Sequence, residues 1–242
     1  MIQVYKTPAE LSKAAANIFV QAAQEAVQEH GRFNVALTGG SSPEQLYKLL
    51  ARPPYRELVP WEQTFVFWGD ERWVPLTDDR SNAKMAFDTL LHHVPISGNH
   101  IFPMYGEQAP DVFALDFEKR LLNHFGSSTP QFDLILLGMG DDGHTASLFP
   151  GTAVLQETER WVQAYYLEPQ SMYRITFTAP CLNQAKKIVF MTFGEKKADA
   201  LHQVLEGAPN PEKYPSQLIQ PVHGETLWLV DEAAASRLSG PV

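Results

Sequence analysis

Short apolar runs alternate with stretches of helical spacing along most of this chain. Five runs have the length and composition of buried strands, and they lie at 33–38, 64–68, 132–138, 187–193 and 226–230, while a sixth segment at 174–178 alternates like a strand. Stretches with helical character lie at 8–30, 44–50, 82–91, 112–125 and 195–205. Because strands that alternate with helices form parallel sheets with crossover helices, the pattern predicts an α/β fold, a helix–sheet–helix sandwich around a mainly parallel central sheet.

Capping residues mark the ends of the first and last predicted helices. Thr7 has the position of an N-cap, Pro8 that of the first helical residue, and Glu10 follows three residues after the cap. Gly31 supplies the natural stop at the other end. Asp231 is expected to cap a short terminal helix in the same way.

The charge of the chain restricts its partners. Its 242 residues contain 19 Lys and Arg against 28 Asp and Glu, a formal net charge of −9. Without an overall positive field, neither nucleic acid nor an anionic membrane surface is an expected partner. A small anion held in a locally basic pocket is still compatible with this charge.

Length, cysteine content and hydropathy indicate one globular domain. No repeat and no linker divides the chain, so residues 1–242 are predicted to form a single domain. Cys181 is the only cysteine, which excludes an intramolecular disulfide and a thiolate metal cluster. Neither a signal-peptide pattern nor an apolar run near the roughly 20 residues of a membrane span is present, so a cytoplasmic location is expected. The oligomeric state is left open.

Three polar segments that contain glycine begin where predicted strands end. The first of them begins at the last residue of the strand at 33–38 and comprises Thr38, Gly39, Gly40 and Ser41. In open parallel sheets ligands bind beyond the carboxyl ends of the strands, so the three segments are expected to share one site. Glycine next to a helix start can cradle a phosphate, but an ordinary strand-to-helix turn needs the same residues. The Walker pattern is absent, since no Gly-Lys-Ser/Thr follows.

Basic side chains offer candidate anion ligands near the other strand ends. Arg72 follows the second strand and can place two N–H donors on a phosphate, although taken alone a surface Arg paired with Asp70 or Glu71 is the more ordinary interpretation. Arg174 starts the alternating strand, and Lys197 lies in a Lys-Lys pair at a helix start. Solvated charges are the ordinary interpretation of both, and completion of a phosphate clamp is the functional one.

The third segment carries a glycine-rich loop. Gly138, Gly140 and Gly143 satisfy the spacing GxGxxG after a strand, which is the spacing of a dinucleotide site. Asp141 and Asp142 lie inside the loop, where a pyrophosphate would meet two negative charges. The loop glycines are therefore better suited to presenting side chains at the strand end than to binding a nucleotide.

A histidine and a carboxylate follow these glycines. His144 can take a proton from water near neutral pH, and Asp142 can fix its tautomer and stabilise the imidazolium. The alternative is that His144 only caps or lines a helix. A zinc site would need a further ligand, and His92 and His93 lack suitable spacing, so no metal is expected.

Taken together, these segments resemble the 6-phosphogluconolactonase family. The matching motifs are GGSSP (39–43), DER-VP (70–75), SN (81–82), GMGDDGHTASLFPG (138–151), RITFT-P-LN-A (174–185) and GEKKADAL (194–201). The related glucosamine-6-phosphate isomerases share the Asp-Gly-His element, but the residues 145–150 favour the lactonases. Asp141 departs from the family, which often has Pro or Glu there, and adds a charge.

The resemblance implies a Rossmann-like fold and a metal-independent, cofactor-free hydrolase acting on a phosphorylated sugar lactone. The expected reaction converts 6-phospho-D-glucono-1,5-lactone to 6-phosphogluconate in the oxidative pentose phosphate pathway. In it, His144 is the general base on water and Asp142 orients the imidazole or the substrate. The groups expected to hold the phosphate are the turn Thr38–Ser41, Arg72, Lys197 and, as a weaker candidate, Arg174. Backbone N–H groups of the glycine loops are candidate oxyanion donors.

Three other functions stay open at this point. A glucosamine-6-phosphate isomerase would release ammonia, and a sugar-phosphate sensor would bind 6-phosphogluconate without turnover. No DNA-binding segment accompanies the domain, which counts against a regulator. An NAD-dependent oxidoreductase would have to use the GxGxxG loop.

Overall fold

The computed structural model describes residues 1–126 and 129–240. The strands of this part are β1 (Ile2–Tyr5), β2 (Phe33–Leu37), β3 (Thr64–Trp68), β4 (Asp70–Arg72), β5 (Leu134–Leu137), β6 (Val162–Leu167), β7 (Met172–Phe177), β8 (Lys187–Thr192) and β9 (Glu225–Asp231). Its α-helices are α1 (Pro8–His30), α2 (Glu44–Leu50), α3 (Tyr55–Leu58), α4 (Asn82–Thr89), α5 (Pro110–Phe125), α6 (Ala179–Leu182), α7 (Ala198–Leu205) and α8 (Glu232–Ala235). Single 3-10 turns occur between several of them.

Six strands form one parallel sheet in the order β1-β9-β8-β5-β2-β3. All five predicted apolar strands belong to it, so the predicted α/β fold with a mainly parallel central sheet is confirmed. The edge strand β1 is one that the hydrophobic pattern does not predict. Its four residues are only half-buried, which makes its periodicity too weak to recognise.

The parallel sheet separates two hydrophobic cores, because successive side chains of a strand point to opposite faces. In β5, Leu134 and Leu136 belong to one core, whereas Ile135 and Leu137 belong to the other. The first core is completed by α1, α2, α3 and α4, and the second by α5, α6, α7 and α8. Continuous apolar runs are the expected sequence of strands covered on both faces.

A second, antiparallel sheet of three strands, in the order β4-β7-β6, lies beside the site described below. The polar stretch 69–72 after β3 has the composition of a turn, but its residues 70–72 pair with β7 as the strand β4. A three-residue strand has no periodicity of its own, and only its partner makes it a strand. In this pairing Arg72 lies directly opposite Arg174, so both side chains lie on the same face.

The helix boundaries follow the predicted signals closely. The Thr7 side chain accepts a hydrogen bond from the backbone N–H of Glu10, and Gly31 ends α1 with φ of 80°. The helix predicted at 82–91 ends at Thr89 and continues as a 3-10 turn, and the helix predicted from 195 begins with a 3-10 turn at 195–197. None of the helices in the described ranges is long and apolar enough to span a membrane.

Candidate active site

A cavity of about 260 Å³ lies at the carboxyl ends of β2, β5 and β8, where β4 and β7 adjoin them. Its lining includes Thr38, Gly39, Gly40, Ser41, Arg72, Gly138, Gly140, His144, Arg174 and Lys197. The structure thus brings together residues that the sequence separates by more than 150 positions. Among the predicted site residues, Asp142 and Gly143 lie outside the lining but within the loop that carries His144.

Asp142 fixes the imidazole of His144 through a hydrogen bond to Nδ1. The Asp142 Oδ1 atom lies 2.6 Å from His144 Nδ1 and also accepts the backbone N–H of His144 at 3.1 Å. Burial acts to raise the pKa of Asp142, but the hydrogen bond and charge of His144 outweigh it, so this pKa is lowered. An ionised carboxylate only accepts, so Nδ1 carries the proton of the neutral imidazole and Nε2 keeps its lone pair.

The loop around this pair leaves no room for a side chain at Gly140. A Cβ atom there would lie 2.0 Å from His144 Nδ1 and 2.5 Å from Asp142 Oδ1. The imidazole also stacks on the ring of Phe149, with centroids 4.0 Å apart and planes inclined by 22°. The backbone at Gly140 and the Phe149 ring therefore both restrict the position of the His144 ring.

Backbone bonds give the glycine loop its shape. The N–H of Gly140 donates to the carbonyl of His144 at 2.8 Å, and the N–H of Gly143 donates to the carbonyl of Gly140 at 3.1 Å. The carbonyl of Gly143 in turn accepts the N–H of Ser216 at 2.9 Å. No α-helix begins within 138–152, all of which is described. The glycines consequently do not meet a helix N-terminus as a dinucleotide fingerprint requires.

Arg72 and Arg174 lie side by side in the cavity wall. Arg72 donates from Nη1 to the carbonyl of Arg80 at 2.8 Å, rather than pairing with Asp70 or Glu71. Arg174 is buried, donates to the side chain of Gln170, and has Nη1 3.9 Å from Asp70 Oδ2. The Nε atoms of both arginines are buried without a hydrogen-bond partner.

Asn82 is a cavity residue that sequence reasoning does not single out. Its Nδ2 donates to the carbonyl of Asp70 at 3.0 Å, while its Oδ1 is buried without a partner. A Cβ atom on Gly39 would lie 1.7 Å from that Oδ1. The glycine at 39 is thus required by the close approach of Asn82. The Ser-Asn pair at 81–82 resembles an ordinary helix start, and this hides its position in the site.

Glu71 is a second residue that sequence reasoning misses. It is fully buried, and its Oε1 accepts the backbone N–H groups of Arg72 and Asn82 at 2.8 and 2.7 Å. Its Oε2 accepts from Ser81 Oγ and from the N–H of Ala83 at 3.0 and 2.8 Å. Burial raises the pKa of Glu71 to about 7. This carboxylate joins β4 to the first turn of α4 and so positions Arg72 relative to Asn82.

Lys197 reaches the cavity from the turn after β8. Its Nζ lies 2.5 Å from Asp141 Oδ1, in the loop after β5. Lys197 therefore belongs to the cavity lining, and its ammonium group pairs with a carboxylate that does not. Among the described residues, no group of three or more His, Cys, Asp or Glu side chains is arranged to hold a metal ion.

A parallel α/β sheet whose end carries a cavity lined by two arginines and by His144, which Asp142 holds, suits an enzyme with a small anionic substrate. The sequence model of the family described as "Glucosamine-6-phosphate isomerases/6-phosphogluconolactonase" matches residues 6–228, so the chain belongs to this family. It is 41% identical to a 6-phosphogluconolactonase from Synechocystis, over 88% of both chains.

Further relatives agree with this assignment. A probable 6-phosphogluconolactonase 1 from Arabidopsis thaliana is 35% identical over 98% of this chain and 93% of its own. The solved structure of 6-phosphogluconolactonase from Trypanosoma cruzi superposes with a TM-score of 0.87 at 28% identity, covering 99% of this chain and 97% of the other. The resemblance stated from the sequence motifs is thereby confirmed.

Proposed function

We propose that this chain hydrolyses 6-phospho-D-glucono-1,5-lactone to 6-phosphogluconate, the second step of the oxidative pentose phosphate pathway. One observation carries the proposal: His144, held by Asp142, lines the same cavity as the cationic side chains of Arg72, Arg174 and Lys197. Guanidinium and ammonium groups are donors suited to a phosphate. The names of the relatives, which are lactonases, support the same reaction.

In the proposed mechanism His144 is the general base. Its Nε2 removes a proton from water as the water oxygen attacks the lactone carbonyl. The tetrahedral intermediate then expels the ring oxygen, which takes the proton back from His144. Asp142 keeps Nδ1 protonated and stabilises the imidazolium between these steps. Such a base contributes about 10²–10⁴ in rate.

In this proposal the phosphate is held by the glycine turn and the basic side chains of the cavity. Its ligands are the turn Thr38–Ser41, Arg72, Arg174 and Lys197. Because the phosphate is remote from the carbonyl, these contacts supply affinity and also align the carbonyl with the base. The N–H groups of Gly140 and Gly143 already donate to carbonyls within the loop, so the proposed oxyanion donor of this loop is the N–H of Gly138.

Two variants test the division of roles. His144→Ala is expected to lower kcat by about 10²-fold or more, whereas Arg72→Ala is expected mainly to raise KM. The measurement is a coupled 6-phosphogluconate assay corrected for spontaneous ring opening, run with and without chelator. Near wild-type kcat in His144→Ala would contradict the general-base role. Ammonia release from glucosamine 6-phosphate by the wild type would point to the isomerase instead.

We further propose that residues 1–242 form one domain that acts in the cytoplasm without a nucleic-acid partner. The two hydrophobic cores lie on opposite faces of one sheet, which supports a single folding unit. The net charge of −9 supports the absence of a polyanion partner.

A further inference from the structure

An ion pair between Asp141 and Lys197 links two loops beside the cavity. Asp141 lies in the loop after β5 and Lys197 in the turn after β8, and these strands are neighbours in the parallel sheet. The Asp141 side chain is 58% exposed and lies outside the cavity lining, whereas Lys197 is 24% exposed and belongs to the lining. Lys197 therefore lines the cavity while its ammonium group pairs with a carboxylate outside it.

The partners of the cavity cations differ in kind. Arg72 donates to a carbonyl oxygen, and Arg174 is held by a side-chain amide and the buried Asp70. Of the three cations in the described lining, Lys197 alone pairs with an exposed carboxylate. Exposed pairs are weak because water screens them, so an incoming dianion can take the place of this carboxylate. A phosphate group offers more charge and more acceptor oxygens than Asp141.

We propose that Asp141 sets the affinity of the site for phosphorylated ligands by competing with their phosphate for Lys197. This inference rests on the proposed function, since it assumes that the ligand carries a phosphate. Without a ligand, Lys197 forms its ion pair with Asp141. On binding, the ammonium group leaves Asp141 for the phosphate, and on product release Asp141 recaptures it. Asp141 is thus a residue that weakens binding of substrate and product without contacting the reacting atoms.

The test is a double-mutant cycle on KM and kcat in the lactonase assay. Asp141→Asn is expected to lower KM about two- to five-fold, the worth of an exposed pair, with kcat unchanged. Lys197→Ala is expected to raise KM. In the Lys197→Ala background, Asp141→Asn is expected to lose its effect, because no ammonium group is left to compete for. Glu195→Gln is the matched control, since it removes one charge from the exposed part of the same turn.

Three outcomes overturn the proposal. One is an unchanged KM in Asp141→Asn, and another is an unchanged KM in Lys197→Ala. The third is that Asp141→Asn lowers KM equally in the wild type and in Lys197→Ala, or that Glu195→Gln lowers KM as much as Asp141→Asn does. Either result would mean that the loss of one negative charge near the site, and not the release of Lys197, lowers KM. Calorimetric titration with inorganic phosphate repeats the cycle without turnover. If the wild type fails to hydrolyse the lactone, the proposed function fails, and the phosphate titrations still decide the competition.

Discussion

Gly140 provides the sharpest test of how the loop positions His144. In Gly140→Ala the new Cβ would lie 2.0 Å from His144 Nδ1, whereas ordinary contacts begin near 3.4 Å. The ring must therefore retreat by about 1.4 Å, or the backbone must move by as much. The same methyl group would lie 2.5 Å from Asp142 Oδ1, so the 2.6 Å bond between the two side chains is also disturbed.

The expected loss follows from that displacement. A shift of about 1 Å in a catalytic geometry costs on the order of 10²-fold in rate, which is about 2.7 kcal/mol of transition-state stabilisation. The Phe149 ring stacks on the imidazole at 4.0 Å, so a displaced imidazole also disturbs this contact. The phosphate ligands lie on other elements, so KM is expected to change far less than kcat.

Gly138→Ala is the comparison for this variant. A Cβ atom on Gly138 would meet nothing within 4 Å, so its loss of kcat is expected to be much smaller. The assay is kcat and KM for both variants, with thermal unfolding as the check on folding and imidazole NMR signals as the check on the His144 environment. Equal kcat losses in the two variants, or a folded Gly140→Ala protein with wild-type kcat, would refute the reasoning.

Two further predictions concern the support of the site. Gly39→Ala is expected to raise KM, because its Cβ would lie 1.7 Å from Asn82 Oδ1. The double variant Gly39→Ala/Asn82→Ala should raise KM by less than the product of the two separate fold-increases. A rise in KM equal to that product would contradict this reasoning. The pKa of Glu71 is raised from 4.5 to about 7, so the folded state holds a proton there that the unfolded state releases. Stability should therefore fall as pH rises through that window. Melting temperatures between pH 4.5 and 7 should fall less steeply in Glu71→Gln, and equal slopes would contradict the assignment.

Much of the fold could be predicted because it depends on local patterns. The five apolar strands are recognisable from four to seven consecutive residues each, and α1 from its Thr7 cap and its glycine stop. Two of the antiparallel strands were harder, since the four middle residues of β6 are half-buried or exposed and β4 has only three residues. Such strands are defined by their pairing partners, and pairing is not visible in a single segment.

Local sequence is enough to specify the parts of the site that lie close together along the chain. Asp142 and His144 are two residues apart, and the glycine loop that carries them follows directly from β5. Folding of the whole chain is needed to place Arg72 opposite Arg174, Asn82 against Gly39, and Lys197 beside Asp141. These contacts join distant segments, and they depend on strand order and loop packing. Burial and hydrogen bonding across the whole fold set those features, so no local pattern specifies them.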